Sequence, residues 1–213
     1  MTIDNYDLIA PMLDFQSEDD YYMLQVIKRR KENPDMEVGE RVLRTVYVTS
    51  LEKLDKMWND LTTLADQNNA RVYINLNVKS MKKTSMLAMK EFAGRVMDDN
   101  FKGAYHIFDS AAGQCGATRD KKWIVDLDYD PKTFKMRYSD YIDAARRTIN
   151  LCQPEGDKVL GVIPTLNGCH LITSPFSMAE FHVALADAYN VSYGELPDIH
   201  KNNPTLLYYN DNK

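Results

Sequence analysis

The chain has 213 residues, of which 44% are hydrophobic and 27% are charged, and its formal net charge is -5. This composition is that of a folded globular protein and excludes a disordered or fibrous one. The negative charge also argues against a protein that coats nucleic acid by bulk electrostatics, so a bound polyanion would need local Lys and Arg side chains or a metal ion.

The sequence gives no sign of export or membrane insertion. No apolar run approaches the ~18 residues that span a bilayer, and the N-terminus lacks the basic region of a signal peptide. The three cysteines, Cys115, Cys152 and Cys169, are far apart and show no Cys-x-x-Cys spacing. They therefore indicate neither a disulfide framework nor a zinc cluster, and each is expected to be a small core residue. We expect a cytoplasmic protein with no membrane partner.

The first 121 residues are predicted to form an N-terminal α/β module with a connecting loop. Capping residues, hydrophobic spacing and turn signals define its elements. In chain order these are a helix over 17–30, a strand over 42–49, a helix from Ser50 to about 67, a strand over 71–79 and a helix over about 85–97, with Met86, Met89 and Ala93 facing inward.

Residues 71–79 form the clearest alternating segment of the chain. One face of the predicted strand is apolar, and the other carries polar side chains. The polar residues are Arg71, Tyr73, Asn75, Asn77 and Lys79. This polar face fits two interpretations, a solvated sheet surface or the wall of a binding cleft.

Residues 98–121 are predicted to be a long connection. Its segment 111–116, Ala-Ala-Gly-Gln-Cys-Gly, is small and flexible enough to approach a phosphate closely. It matches no P-loop or dinucleotide-binding fingerprint, which favours a structural loop.

The segment 122–130 is an apolar run that becomes acidic in its second half. On a strand, Val125 and Leu127 share the core face with their alternating neighbours, whereas Asp126, Asp128 and Asp130 point the other way. Neighbouring carboxylates at the end of an interior strand repel one another unless a cation lies between them. Asp130-Pro131 is assigned to a turn. Asp126 and Asp128 then fit either a turn-forming strand end or a site for a hard divalent ion.

Residues 122–213 are predicted to form a second module, packed with the first into one compact unit. Its elements follow the order strand, helix, strand, strand, helix, strand, which is the βαββαβ order of ferredoxin-like and RNA-recognition-like sheets. The predicted elements after the acidic strand are a helix from Ser139 to Cys152, a hairpin of strands 159–165 and 169–173 around Leu166-Asn167-Gly168, a helix from Ser177 to about 189, and a last strand over 205–209.

This topology predicts a cluster of polar side chains at one sheet edge. The end of the acidic strand should lie beside the start of the third strand, where His170 stands. It should also lie beside the segment 198–203, which leads into the fourth strand. A strand histidine by itself fits a structural role, but its predicted position beside Asp126 or Asp128 favours a functional one.

Two short motifs resemble those of the archaeo-eukaryotic primase superfamily, which includes primase-polymerases of phages and plasmids. These are Val125-Asp126-Leu127-Asp128 at a strand end and Gly168-Cys169-His170 at the start of another strand. The resemblance extends to the architecture, since that family pairs an N-terminal α/β module with an RNA-recognition-like one.

The resemblance implies a DNA/RNA primase-like or polymerase-like nucleotidyltransferase that joins nucleotides on a nucleic-acid template. It implies that Asp126 and Asp128 bind Mg²⁺ or Mn²⁺ and that His170 contacts the phosphates of a nucleoside triphosphate. The third acidic motif of the family has no clear counterpart, because Asp198 lies early and the nearer positions are Asn202 and Asn203. Asp198 is taken as the third metal ligand. A helicase or other replication proteins would come from separate chains.

The polar face of the alternating segment is a candidate border for the nucleotide site. Arg71, Asn75 and Lys79 are its predicted nucleotide-binding residues. Two other functions use the same residues. A metal-dependent nuclease or phosphodiesterase would activate water instead of a hydroxyl, with His170 as acid or base. A catalytically inactive relative would bind nucleotide or nucleic acid without turnover.

Overall fold

The computed structural model describes residues 1–37, 41–130, 137–189 and 196–211. The fold is mixed α/β and contains two antiparallel sheets. The chain divides into two compact units. The first unit comprises Met1–Asp120 and the chain from Leu206 onward, and the second comprises Lys121–Thr205. No helix in the described part of the chain is both long enough and apolar enough to span a bilayer.

Among its described residues, the first unit contains one sheet and four helices. The strands are β1 (Thr2–Asp4), β2 (Asp20–Lys28), β3 (Val42–Val48), β4 (Ala70–Ile74), β5 (Lys79–Ser80) and β10 (Thr205–Asn210), and the helices are α1 (Tyr6–Ile9), α2 (Leu51–Gln67), α3 (Met81–Met97) and α4 (Ile107–Gln114). The sheet has the order β1-β10-β4-β2-β3, with β5 paired to β2. Short 3-10 turns lie at Ala10–Met12 and Ala104–His106.

The helix predicted over 17–30 is wrong, because this segment contains the central strand β2. β2 pairs with β3 on one side and with β4 and β5 on the other. The residues from Asp20 to Leu24 are all buried, so the segment is covered on both faces and lacks the alternation of a half-buried strand. The acids that resembled a helix start have other roles. Asp20 accepts backbone N–H bonds from Gln16 and Ser17 in the turn before the strand.

The prediction for α2 is confirmed. Ser50 has extended backbone and its hydroxyl accepts a hydrogen bond from the Lys53 N–H, which satisfies one free donor of the first turn. Leu54, Leu61 and Ala65 are the buried residues of this helix, at the three- and four-residue spacing expected of a helix face that packs on a sheet.

The alternating segment is shorter as a strand than predicted, and its polar face is not solvated. Strand β4 ends at Ile74, and β5 begins only at Lys79. Arg71, Asn75, Asn77 and Lys79 are all buried. The interpretation of this face as a solvated sheet surface is therefore wrong. The alternation is real, but packing covers both faces.

The helix predicted over 85–97 exists, and α3 begins four residues earlier, where Ser80 caps it. Its predicted orientation is wrong, because Met86 and Met89 are largely exposed and Thr84 is the buried residue. The predicted long connection is also partly wrong. It contains α4, in which Ile107, Ala111 and Ala112 are buried.

The second unit, in the part that the structure describes, has a four-stranded sheet and two helices. The elements are β6 (Trp123–Asp128), α5 (Tyr138–Leu151), β7 (Val159–Pro164), β8 (Gly168–Thr173), α6 (Met178–Tyr189) and β9 (Asp198–His200). The strand order is β7-β8-β6-β9, and β6 lies between β8 and β9 and is antiparallel to both. Both helices pack on the face that carries Val125 and Leu127, forming one core cluster with them.

The last strand of the second unit differs from the prediction. Residues 205–209 were expected beside the acidic strand, but they lie in β10, which pairs with β1 in the first unit's sheet. The fourth strand of the second unit is instead the short β9, in the segment that was expected only to lead into that strand. The cysteine prediction is confirmed, since Cys115, Cys152 and Cys169 are buried and unpaired.

Candidate functional site

The candidate site is a row of side chains across neighbouring strands of the second unit. In the register of the sheet, Asp126 on β6 lies opposite His170 on β8 and opposite Asp198 on β9. Residues directly opposite one another in an antiparallel pair project from the same face, with Cβ atoms ~5 Å apart. The three side chains therefore share the face opposite to Val125 and Leu127. The sequence prediction that His170 lies close to Asp126 is confirmed.

Each ring nitrogen of His170 has a polar neighbour. Its Nδ1 lies 2.8 Å from the Thr205 hydroxyl, and its Nε2 lies 3.5 Å from Oδ1 of Asp126. A carboxylate attracts an N–H, so this arrangement favours the tautomer in which Nε2 carries the proton and the Thr205 hydroxyl donates to Nδ1. Only 13% of the His170 side chain is exposed.

His170 is neutral near pH 7. Burial of the ring, and then the proximity of His200, lower its pKa to about 4. The Asp126 carboxylate acts in the opposite direction, because an opposite charge favours the protonated form. Burial is the larger effect, so the ring offers one N–H and no positive charge. A neutral ring can contact a phosphate through this N–H, but it lacks the charge by which an imidazolium would attract the phosphate.

Three carboxylates lie on or near this row with different exposure. Asp126 is partly buried, whereas Asp128 and Asp198 are exposed. Asp128 lies two residues beyond Asp126 on the same face, opposite Gly168. Like charges directly opposite one another are destabilising, so Asp126 and Asp198 repel unless a cation or proton lies between them.

These residues fit an open metal site and not a closed one. Within the described residues, no group of three or more His, Cys, Asp or Glu side chains could hold a metal ion. Mg²⁺ is commonly bound by one or two carboxylates together with waters and substrate phosphates. Asp126 and Asp198 match that pattern, and Asp128 is the next carboxylate on the same face.

Gly168 allows β8 to approach β6 closely. A Cβ atom at this position would lie 1.9 Å from the backbone oxygen of Leu127. The hairpin turn that precedes it is closed by the Thr165 N–H, which donates to the Gly168 carbonyl. Gly168 therefore fixes the register that places His170 opposite Asp126.

The predicted nucleotide-binding residues Arg71, Asn75 and Lys79 belong to the first unit. The Arg71 guanidinium makes an ion pair with Glu32 and lies over the ring of Tyr209. The Lys79 ammonium donates to the Cys115 carbonyl, and its burial lowers the pKa of the amine. Their role in nucleotide binding stays a prediction. It would require these buried groups to become accessible.

The sequence analysis did not identify Thr205 as a partner of His170. The contact joins residues 35 positions apart, and a strand-forming threonine carries no signal of such a contact. His200 was noted only as part of a polar segment. It lies opposite Ile124, one row from Asp126 on the same face, and contributes to the low pKa of His170.

Comparisons of the chain with protein-family models, with curated proteins and with solved structures find no match.

Proposed function

We propose that this protein is a divalent-metal-dependent nucleotidyltransferase of the primase-polymerase kind. The observation that carries the proposal is the row of Asp126, His170 and Asp198 on adjacent strands. It joins the two motifs of the resemblance, which are separated in sequence, and adds Asp198, which the sequence analysis took as the third metal ligand.

We also propose that the second unit has the ferredoxin-like arrangement of RNA-recognition-type sheets. The strand order β7-β8-β6-β9 and the antiparallel partners of β6 support it. Helices α5 and α6 follow the first and third strands, as the βαββαβ order requires. In this arrangement the helices cover one face of the sheet and the other face can bind ligands. Asp126, His170 and Asp198 lie on that second face.

Each residue of the row has a distinct role in the proposal. Asp126 and Asp198 would hold Mg²⁺ or Mn²⁺ together with waters and substrate phosphates. When bound, the metal would neutralise phosphate charge and lower the pKa of an attacking hydroxyl. His170 donates its Nε2–H to a phosphate oxygen of the incoming nucleotide. Thr205 holds the ring in the orientation that makes this donation possible.

The nuclease alternative uses the same carboxylates with water as the nucleophile. A neutral His170 that donates its Nε2–H beside Asp126 can contact a phosphate oxygen in hydrolysis as well as in transfer, so the same row also fits this alternative. The inactive relative is favoured by the lack of a three-ligand metal group in the described part of the chain. The experiments must therefore separate metal binding, incorporation and hydrolysis.

Metal binding is tested by thermal unfolding with and without Mn²⁺. A ligand that binds only the folded state adds to the free energy of unfolding and therefore raises the midpoint temperature. The added free energy is about 2.7 kcal/mol at a ligand concentration 100 times the dissociation constant. We expect Mn²⁺ to raise the midpoint of the wild type, and the Asp126→Asn and Asp198→Asn variants to lose this rise. Both variants should be at least as stable as the wild type without metal, because the substitution removes like-charge repulsion.

The matched control is Asp143→Asn, which removes an exposed carboxylate from α5. This variant should keep the full response to Mn²⁺. An equal rise of the midpoint in all four proteins would contradict a metal site at this row.

Catalysis is tested on a labelled primer-template with Mn²⁺, with and without nucleoside triphosphates. Extension that requires triphosphates and is lost in Asp126→Asn supports the nucleotidyltransferase. Shortening of the primer without triphosphates identifies the nuclease. Triphosphate binding without a change of primer length identifies the inactive relative.

A further inference from the structure

Helix α3 in the first unit has its polar side turned inward and its apolar side turned outward. The buried residue is Thr84, whose hydroxyl lies 2.7 Å from that of Tyr21. Large apolar side chains on the other side are 40% to 86% exposed. They are Met86, Leu87, Met89, Phe92, Val96 and Met97. This is the reverse of a helix that packs only on its own domain.

Four exposed positions follow a coiled-coil spacing. Met86, Met89, Ala93 and Val96 recur at intervals of three, four and three residues, and all four are exposed. Such an a/d pattern forms a continuous seam along one side of a helix. No described residue of the first unit covers this seam, which we call the α3 seam.

The charges at the two ends of α3 have opposite sign. Lys82 and Lys83 lie in its first turn, and Asp98 and Asp99 follow its last residue. All four residues are exposed. Among the described residues, neither lysine forms an ion pair. A second helix with the same charge order, running antiparallel, would place its acidic end against these lysines.

We propose that the α3 seam is a dimerisation surface whose occupant is α3 of a second copy of the chain. A twofold axis near residue 91 makes the contact self-complementary, as a closed symmetric dimer requires. It places Met86 opposite Val96 of the other copy and Met89 opposite Ala93. Large side chains then face smaller ones in each layer, and the basic end of each helix meets the acidic end of its partner.

The strength of this dimer follows from its size. One pair of helices buries less than the ~1,600 Å² of a standard interface. We therefore expect a reversible dimer with a dissociation constant on the order of 10 µM, in the range of weak association. The proposal is independent of the proposed function, because no residue of the α3 seam belongs to the row on β6, β8 and β9.

The test is sedimentation equilibrium of the full chain over a range of concentrations that spans this value. The wild type should change from monomer to dimer as concentration rises. Met89→Glu places a charge in the centre of the contact and should weaken association by more than ~100-fold. Met89 is 72% exposed, so the variant should keep the thermal unfolding midpoint of the wild type at concentrations where both are monomers.

Charge reversal tests the antiparallel orientation. Lys83→Glu and Asp98→Lys should each weaken the dimer by roughly threefold to tenfold, as expected for exposed ion pairs that occur twice per dimer. The combination of both changes should restore wild-type association. A parallel pair of helices would instead leave each single variant unweakened, because Lys83 would face Lys83 and Asp98 would face Asp98 of the other copy. Val183→Glu, at an exposed apolar position on α6, is the matched control and should leave the dimer unchanged.

A wild type that stays monomeric throughout this range overturns the proposal. A dimer that Met89→Glu does not weaken overturns it as well, because the contact would then lie elsewhere. Failure of the combined charge variant to restore association overturns the antiparallel contact proposed here.

Discussion

Asp20 shows how a single carboxylate joins distant parts of the first unit. The Arg119 guanidinium donates to it, with Nη1 3.0 Å from Oδ1 and 2.9 Å from Oδ2. The backbone N–H groups of Gln16 and Ser17 also donate to Oδ2. The hydrogen bond from Arg119, followed by those of the backbone, lowers the pKa of Asp20 to about 2. Ionised Asp20 therefore stabilises the turn before β2.

The low pKa of Asp20 predicts a stability that depends on pH. A carboxyl whose pKa is lower in the folded state contributes stability above its unfolded value near 3.8, and this is lost as pH falls toward about 2. At pH 7, Asp20→Asn should lower the free energy of unfolding by about 1.5–3 kcal/mol, the value of hydrogen bonds to a charged group. Urea denaturation at a series of pH values should show this difference shrinking between about pH 4 and pH 2.

Asp60→Asn is the control for this measurement, because Asp60 is an exposed carboxylate on α2. It should change the free energy of unfolding little at any pH. A difference between wild type and Asp20→Asn that stays constant down to pH 2 would contradict the role given to the charge.

At the scale of elements, the candidate site depends on the register of β8 against β6. Asp128 is opposite Gly168, Asp126 is opposite His170, and Ile124 is opposite Ile172. A slip by one residue would turn His170 to the core face of the sheet. There is no room for a Cβ atom at Gly168, so any other residue there would push β8 away from β6.

Gly168→Ala should therefore disturb the hairpin and the site together. The added methyl group would overlap the Leu127 carbonyl, which belongs to the backbone and moves only with the strand. Overpacking of this kind costs about 1–3 kcal/mol of folding stability. We expect that loss in denaturant unfolding, together with a change in the His170 ring signals in NMR spectra as the ring moves away from Asp126.

Gly116→Ala serves as the control, since a Cβ atom at that glycine would have no neighbour within 4 Å. It should leave both stability and the His170 signals nearly unchanged. Wild-type stability and His170 signals in Gly168→Ala would contradict the view that this glycine fixes the register.

At the scale of the whole molecule, the chain returns to its first unit after the second is complete. Strand β10 lies between β1 and β4 in the sheet of the first unit. Four of its large side chains are buried. These are Leu206, Leu207, Tyr208 and Tyr209. The Asn5 side chain donates to the Leu206 carbonyl, and the Asn5 N–H donates to that of Leu207, so the N-terminal segment depends on this strand as well.

A chain that ends at Thr205 should therefore lose the fold of its first unit. Burial of one large apolar side chain contributes about 1.5–3 kcal/mol, and four of them approach the ~5–15 kcal/mol of a typical domain. Circular dichroism and urea unfolding should show loss of the first unit's cooperative transition. The isolated segment 121–205 should keep a folded sheet, because β6–β9 pair among themselves.

A chain that ends at Asp211 is the control and should unfold like the full chain, since it retains all of β10. A cooperative transition for the first unit in the chain that ends at Thr205 would show that β10 is dispensable.

Local sequence signals determined much of the fold. The Ser50 cap and the spacing of Leu54 and Leu61 predicted α2, and the Asn167-Gly168 turn predicted the β7–β8 hairpin. The alternation around Val125 and Leu127 predicted the core face of β6, which in turn places Asp126 on the other face. These predictions succeeded because caps, tight turns and a half-buried strand depend on neighbours close in sequence.

The tertiary structure decided what depends on distant partners. Residues 20–28 form a strand because β3 and β4 cover both edges, and strand β10 pairs with β1, which lies about 200 residues away. The same holds for the candidate site. Sequence alone identified Asp126, Asp128, His170 and Asp198, but only the pairing of β6 with β8 and β9 brought three of them into one row. Strand pairing over such separations leaves no local pattern, because backbone hydrogen bonds are nearly independent of side-chain identity.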